Sequence, residues 1–312
     1  MIPALRVRGL VKRYGKRRAL DGLDLEVPAG SVFGLVGSNG AGKTTLMTVS
    51  VGLLRADGGE IDVLGGGPFN PAIHAGRAAL LPQDARLPLH ARVAELLHFY
   101  AQLQGVPREG RARQVDELLE WVNLTDRRDA PVRSLSHGMM RRLTIAQAFL
   151  GQPELVFLDE PMSGLDPREV ARIRALLVQR RGRQAIVISS HILGELEALC
   201  DHVAFVDHGK LVRQDTLSAV TRHHHQVTYR LSAGEVPLAA LQAALPQVGW
   251  TIRDGGRLLQ AVLAEGPELC VLNERALRIL LDAGVGVEEV RRGSDLESEF
   301  LAATEPPPLP RS

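Results

Sequence analysis

The segment Gly37-Ser38-Asn39-Gly40-Ala41-Gly42-Lys43-Thr44-Thr45 follows the apolar run Val32-Phe33-Gly34-Leu35-Val36 and opens a second apolar stretch with helical spacing. Its pattern, G-x-x-x-x-G-K-T between a strand and a helix, constrains the chain more than any other feature. Glycines let the main chain turn N–H groups inward onto an anion, the lysine adds a compact positive charge, and the threonine hydroxyl suits Mg²⁺. The helix that follows aims its positive end at the same phosphates. This strand, loop and helix predict an α/β P-loop fold that binds a nucleoside triphosphate.

A chain of 312 residues has length for about two domains. With 37 basic and 36 acidic residues the formal charge is +1, so no overall field favours nucleic acid or an anionic membrane, and no nucleic-acid partner is expected. No apolar run approaches the roughly 18–20 residues that cross a bilayer, and the first residues lack the apolar core of a secretory signal. The expectation is a chain that neither spans a membrane nor is exported. Cys200 and Cys270 are far apart and lack metal-type spacing, which fits buried small hydrophobes in a reducing compartment.

Short apolar runs alternate with helical patterns in the first half, as in a sheet covered by helices. Core strands are predicted at residues 32–36, 78–81, 155–158, 185–189 and 203–206. Leu20, Leu23, Leu25 and Val27 are spaced like a half-exposed strand beside another at residues 5–10, so an antiparallel flank is expected before the loop. From residue 91 to 150 the spacing is mostly helical, with Val93, Leu96, Leu97 and Tyr100 on one face and Leu118, Leu119 and Val122 on another. A second unit begins near residues 221–225 and reads strand (226–231), helix (237–245), strand (250–254), strand (258–263), helix (267–283), strand (285–291) and a last helix (296–303). This βαββαβ order predicts a small ferredoxin-like domain, with Leu277, Leu280 and Leu281 as an apolar helix face. Glu305-Pro306-Pro307-Pro308-Leu309-Pro310 predicts an extended tail, and His223-His224-His225 reads as a solvated linker in the absence of companion ligands.

The apolar run ending in Asp159-Glu160 places two adjacent carboxylates at a strand end. Successive strand residues point to opposite sides, so the two need not do the same job. Asp159 is placed to hold Mg²⁺ and Glu160 to act on an attacking water as general base. In Leu135-Ser136-His137-Gly138-Met139, Ser136 is an N-cap candidate for a helix over residues 138–150, and its hydroxyl and the free amides form a second phosphate-binding end.

Together these motifs resemble the ATP-binding subunits of ABC transporters over about residues 1–220. Residues 37–45 match the Walker A, Gln83 in Leu81-Pro82-Gln83-Asp84 the Q-loop, Leu135 to Met139 the signature, and residues 155–159 the Walker B with Glu160 as its base. Ser163-Gly164-Leu165-Asp166 matches the D-loop, His191 after Ile188-Ser189-Ser190 the switch histidine, and Tyr14 in Arg13-Tyr14-Gly15 the aromatic that stacks on adenine. The signature departs from the commonest L-S-G-G-Q at His137 and Met139 but keeps Ser136 and Gly138; that variation resembles an exporter subclass.

The resemblance implies that Lys43 and the loop amides grip ATP, that Thr44, Asp159 and Gln83 organise Mg²⁺, and that Glu160 activates water while His191 senses the γ-phosphate. It implies a nucleotide-dependent homodimer in which Ser136, Gly138 and Asp166 serve the opposing copy's nucleotide. A separate integral-membrane permease is the other implied partner, reached through the groove at residues 85–98 on the cytoplasmic face of the membrane. Domains are expected at residues 1–221, with a helical subdomain at 88–150, and at 222–303, with a tail at 304–312. The second domain and Asp295-Leu296-Glu297-Ser298-Glu299-Phe300-Leu301 resemble the C-terminal module of drug-, lipid-, polysaccharide- or ion-exporting ABC ATPases. Soluble ABC-type ATPases of translation or DNA maintenance share the nucleotide site but typically carry tandem domains or long coiled-coil insertions. A P-loop kinase leaves the motifs at Ser136 and Asp166 unexplained.

Overall fold

The computed structural model describes residues 2–221, 226–263 and 269–292, and the chain divides after Thr216 into two compact units. In the first, β1 (Leu5–Tyr14) and β2 (Arg17–Val27) pair antiparallel across a two-residue turn, Gly15-Lys16. Leu20, Leu23, Leu25 and Val27 point inward and are buried, the alternation expected of a sheet wetted on one side. After β3 (Val32–Val36) and α1 (Lys43–Ser50), β4 (Gly58–Val63) adds to the other edge of β1, giving the order β2-β1-β4. The sequence reading did not find β4. Only Ile61 and Val63 are strongly apolar in it, and the strand closes on β1 because Gly59 has no side chain: a Cβ there would lie 2.3 Å from the Gly9 carbonyl oxygen.

The other sheet gathers β3 with β5 (Ala78–Leu81), β6 (Leu155–Asp159), β7 (Ala185–Ser190), β8 (His202–Asp207) and β9 (Lys210–Thr216) in the order β5-β6-β7-β3-β8-β9. All neighbours run parallel except β8 and β9, which form an antiparallel pair. β3, β6 and β7 are buried along their whole length, so they read as continuous apolar runs rather than as alternation. Phe33, Leu35, Met47, Phe157 and Val187 belong to one core with Leu20, Leu23 and Leu25 of the antiparallel sheet.

The helices are α2 (Pro71–His74), α3 (Val93–Leu103), α4 (Arg108–Trp121), α5 (His137–Ala148), α6 (Pro167–Val178) and α7 (Leu193–Glu197). In α3 the buried residues Val93, Leu96, Leu97 and Ala101 follow helical spacing. Tyr100, expected on that face, lies at its edge and is half-buried. Trp121 closes α4 by packing edge-on against Phe149, with the Arg180 guanidinium 4.1 Å from its ring centre.

The second unit comprises α8 (Leu217–Thr221), β10 (Gln226–Ala233), α9 (Leu238–Ala244), β11 (Val248–Arg253), β12 (Leu258–Leu263), α10 (Leu269–Asp282) and β13 (Gly286–Arg292). Its sheet is antiparallel in the order β11-β12-β10-β13, the split βαβ arrangement. Leu272, Ala276 and Leu280 of α10 enter the core, Leu277 lies at its edge and Leu281 is exposed, because the buried stripe repeats every fourth residue and position 281 falls beyond its margin. Buried Tyr229 donates its hydroxyl to Asn273 Oδ1 at 2.8 Å, and burial raises its pKa and keeps the phenol neutral. The Cys270 side chain, His223 to His225, the expected helix at 296–303 and the proline-rich tail lie outside the described residues, whereas Cys200 is buried as expected and its thiol pKa is raised by burial.

Phe157 is fully buried in β6, and Phe157→Ala is expected to destabilise the first unit by about 3–5 kcal/mol. Denaturant unfolding followed by Trp121 fluorescence in a Trp250→Phe background measures it.

Candidate functional site

The carboxyl ends of β3, β6 and β7 lie side by side in the parallel sheet, which is where open α/β sheets place their ligands. Beyond β3 the chain turns through Gly37 to Gly42 into α1. Gly42 holds φ at +110°, and a Cβ on it would sit 2.5 Å from the Ala19 carbonyl oxygen. A Cβ on Gly37 would meet the Val206 carbonyl oxygen at 2.4 Å. Only glycine fits at these two points. No side chain caps α1, so its first amides stay open toward an anion.

Lys43 is buried, and its Nζ donates to the carbonyl oxygens of Gly37 at 2.7 Å and Ser38 at 3.1 Å. Burial lowers the pKa of its ammonium, and the charges of Glu160 and Asp159 oppose that shift. Ala41 sits beneath the loop, accepting from the Gly209 N–H at 2.9 Å. Thr44 donates its hydroxyl to Asp159 Oδ2 at 2.6 Å, and Ser189 donates its own to Asp159 Oδ1 at 2.5 Å. Both oxygens of this buried carboxylate are therefore satisfied.

Glu160, the next residue, lies past the end of β6 and points elsewhere because its backbone turns into the left-handed region, with φ at +45°, rather than through the strand alternation the sequence suggested. Its Oε2 lies 3.1 Å from His191 Nδ1 and 3.5 Å from Gln83 Nε2. A cleft of about 630 Å³ joins these groups: Lys43, Thr44 and Thr45 on one side, Gln83, Glu160 and His191 on another, with Asn39, Gly40 and Gly42 between. Tyr14, half-exposed at the end of β1, walls one end. Arg17, its cross-strand partner, donates to the Gly40 carbonyl oxygen at 3.1 Å.

Gly37, Ser38, Ala41 and Asp159 stand behind the lining of this cleft, and Ser136, Gly138 and Asp166 lie apart from it at two helix starts. Ser136 Oγ accepts the Met139 N–H at 3.2 Å and caps α5, and Asp166 Oδ1 accepts the N–H groups of Arg168 and Glu169 at 2.9 and 3.0 Å and caps α6. Gly138 lies tight against Glu169, whose Cγ would be 2.6 Å from a Cβ; Glu169 is in turn paired with buried Arg142 at 3.2 Å. Three contributors escaped the sequence reading: Ser189, Arg141 and Arg17. The first two were visible only as motif neighbours. An arginine opposite an aromatic across a two-residue turn was the available signal for the third.

A nucleotide-sized cleft framed by a glycine loop, an amide-rich helix end and a hydroxyl-bonded carboxylate defines a P-loop nucleoside triphosphatase. The family model described as ABC transporter matches residues 20–163. The chain is 38% identical over 311 residues to a daunorubicin resistance ATP-binding protein of Streptomyces coeruleorubidus, covering 96% of each chain. It is 32% identical to a Nod factor export ATP-binding protein I of Ralstonia nicotianae, over 97% of this chain and 94% of the relative. A crystal structure of the ADP conformation of an ATP-binding cassette of an ABC transporter aligns with TM-score 0.62 and 25% identity, over 69% of this chain and 92% of that one. The chain belongs to the ATP-binding, ATP-hydrolysing subunits of ABC transporters. Among the described residues no helix is long and apolar enough to cross a membrane.

Gly42→Ala is expected to weaken ATP binding about ten- to a hundredfold, since the loop must shift to relieve both the positive φ and the Ala19 contact. Titration of the variant with ATP, alongside circular dichroism to confirm the fold, checks it.

Proposed function

We propose that this chain drives an exporter from the cytoplasmic face of the membrane, through a separate permease and as a nucleotide-dependent dimer with a second copy of itself. The observation that carries the mechanism is the division of labour between neighbouring carboxylates: Asp159 accepts from Thr44 and Ser189, while Glu160 faces His191 and Gln83. Support for export comes from the names of the relatives above, which this chain matches over nearly their full length.

In this reading the amides of residues 37–45 and Lys43 bind the phosphates, and Tyr14 stacks on adenine. The hydroxyl of Thr44 and the carboxylate of Asp159 meet at 2.6 Å and are the hard oxygen donors that Mg²⁺ takes, so the residues fit the ion, with Gln83 as a further ligand. Mg²⁺ bound there supplies charge neutralisation at the phosphate oxygens. Glu160 takes the proton of the attacking water, and His191 orients its carboxylate and contacts the γ-phosphate. Ser136, Gly138 and Asp166 act on the nucleotide of the opposing copy, so ATP joins the two and hydrolysis frees them.

The permease is proposed to dock a short helix in the groove lined by Leu81, Pro82, Ala85, Arg86 and Tyr100, a cleft of about 450 Å³. Phe99 and Leu103, on the same helix as Tyr100, are exposed apolar groups in support of that site. Residues 1–221 are proposed as the nucleotide-binding domain, with 88–150 its helical subdomain, and residues 222–303 as an accessory domain that regulates the dimer without catalytic chemistry.

Glu160→Gln is expected to bind ATP within about twofold of wild type, to lose turnover by about two orders of magnitude or more, and to accumulate an ATP-bound dimer. Near-normal turnover rejects the base assignment. Lys43→Ala is expected instead to lose affinity, which nucleotide titration separates from a catalytic defect. For the trans site, Ser136→Arg and Lys43→Ala are each expected to be inactive as homodimers. Mixing them leaves one composite site intact and is expected to restore part of the activity. Failure to do so in demonstrated heterodimers, when single wild-type sites are competent, rejects that arrangement.

A further inference from the structure

Glu160 has φ at +45°, a left-handed conformation that residues with a Cβ rarely adopt and keep only where the surroundings impose it. Its own peptide groups are held on both sides by side chains. The N–H donates to Ser189 Oγ at 2.8 Å, and the carbonyl oxygen accepts from Arg141 Nη2 at 2.6 Å. Arg141 extends the same guanidinium to the loop around it: Nε donates to the Pro161 carbonyl oxygen at 2.7 Å, Nη2 reaches that of Asp159 at 3.4 Å, and Nη1 reaches that of Gln83 at 3.3 Å.

This arginine is 9% exposed, and its donors go to main-chain carbonyls. Burial lowers its pKa, and the nearby charges of Asp159 and Glu160 counter that effect. A planar fork with donors in fixed directions can hold carbonyls from two separate loops at once, which a lysine's single ammonium cannot. Arg141 also stands near the start of α5, where Ser136 caps the helix. It therefore fixes the turn after β6 and the segment after β5 to one rigid helix end.

We propose that Arg141 is a positioning residue for the hydrolytic step, a buried guanidinium that holds Glu160 in its left-handed conformation and keeps Gln83 in register with it. The inference rests on the reading of Glu160 as the group that activates water. Arg141 touches neither water nor phosphate in this role. It sets the direction of the Glu160 carboxylate through the main chain, with Ser189 as the second tether.

The test uses the full-length protein with Arg141→Lys, Glu160→Gln, the two combined, and Arg141→Gln. ATP affinity is read with a fluorescent analogue, kcat and KM at steady state, residual turnover by single-turnover assay, and folding by thermal unfolding. Arg141→Lys is expected to lower kcat about ten- to a hundredfold while ATP affinity and KM stay within about twofold. In the Glu160→Gln background it is expected to add no further loss, because the group it positions is already gone. Arg141→Gln, which replaces the guanidinium by a shorter neutral amide, is expected to show the same pattern and carries the test if Arg141→Lys does not fold. Wild-type kcat in folded Arg141→Lys, a loss of ATP affinity matching the loss of kcat, or losses that multiply in the double variant each overturn the proposal. Near-normal turnover of Glu160→Gln alone overturns the base assignment and the tether with it, whereas inactivity of Glu160→Gln beside a fully active Arg141→Lys overturns the tether only.

Discussion

A carboxylate 1% exposed to solvent is the constraint around which the nucleotide cleft is built. Asp159 ends the apolar strand β6, and a buried charge without partners costs several kcal/mol. The compensation comes from Thr44 on α1 and Ser189 on β7, one hydroxyl to each oxygen. Those two bonds require the first turn of α1 and the end of β7 to meet β6 at the same height. That alignment also brings Lys43, Glu160 and His191 to one place. The parallel register of β6 with β7 and of β7 with β3 is thus both a packing solution and the means by which residues far apart in sequence share a cleft.

Much of this was legible in the sequence because it is local. The loop at residues 37–45 carries its chemistry in consecutive residues, and β3, β6 and β7 announce themselves as apolar runs. The capping role of Ser136 is local too, whereas Asp166, read only as part of the D-loop motif, proves in the structure to cap α6. What stayed hidden depends on neighbours that the chain supplies from elsewhere. Ser189 looks like the polar end of a strand until β7 is laid beside β6, and Arg141 looks like one of two surface arginines on a helix until the turn after β6 closes over it. β4 was missed for a related reason: its pairing depends on glycines that fit against β1 rather than on apolar alternation. In the second unit, the βαββαβ order was readable from short runs, but the displacement of Leu281 out of the core needed the phase of α10.

The positive charges of the cleft are held by main-chain oxygens rather than by carboxylates. Lys43 leans on Gly37 and Ser38, and Arg17 leans on Gly40. Carbonyl dipoles orient a cation without neutralising it, so these side chains remain able to attract a polyanion. Glu160 and Asp159 moderate the field without pairing directly with either cation. In energetic terms the loop is kept in shape by contacts that a phosphate can replace with stronger ones.

The bond from Arg17 to Gly40 has a further consequence. Arg17 is the cross-strand partner of Tyr14, so the same hairpin end that carries the aromatic wall is fastened to the phosphate loop. The cleft then works as a caliper whose two jaws are set before a ligand arrives. On the proposed reading, in which a base lies against Tyr14 and the phosphates against residues 37–45, the gap between those surfaces measures the length of the nucleotide. Little ordering of the protein is left to be done on binding, which is how a shallow, open cleft retains affinity for a flexible ligand.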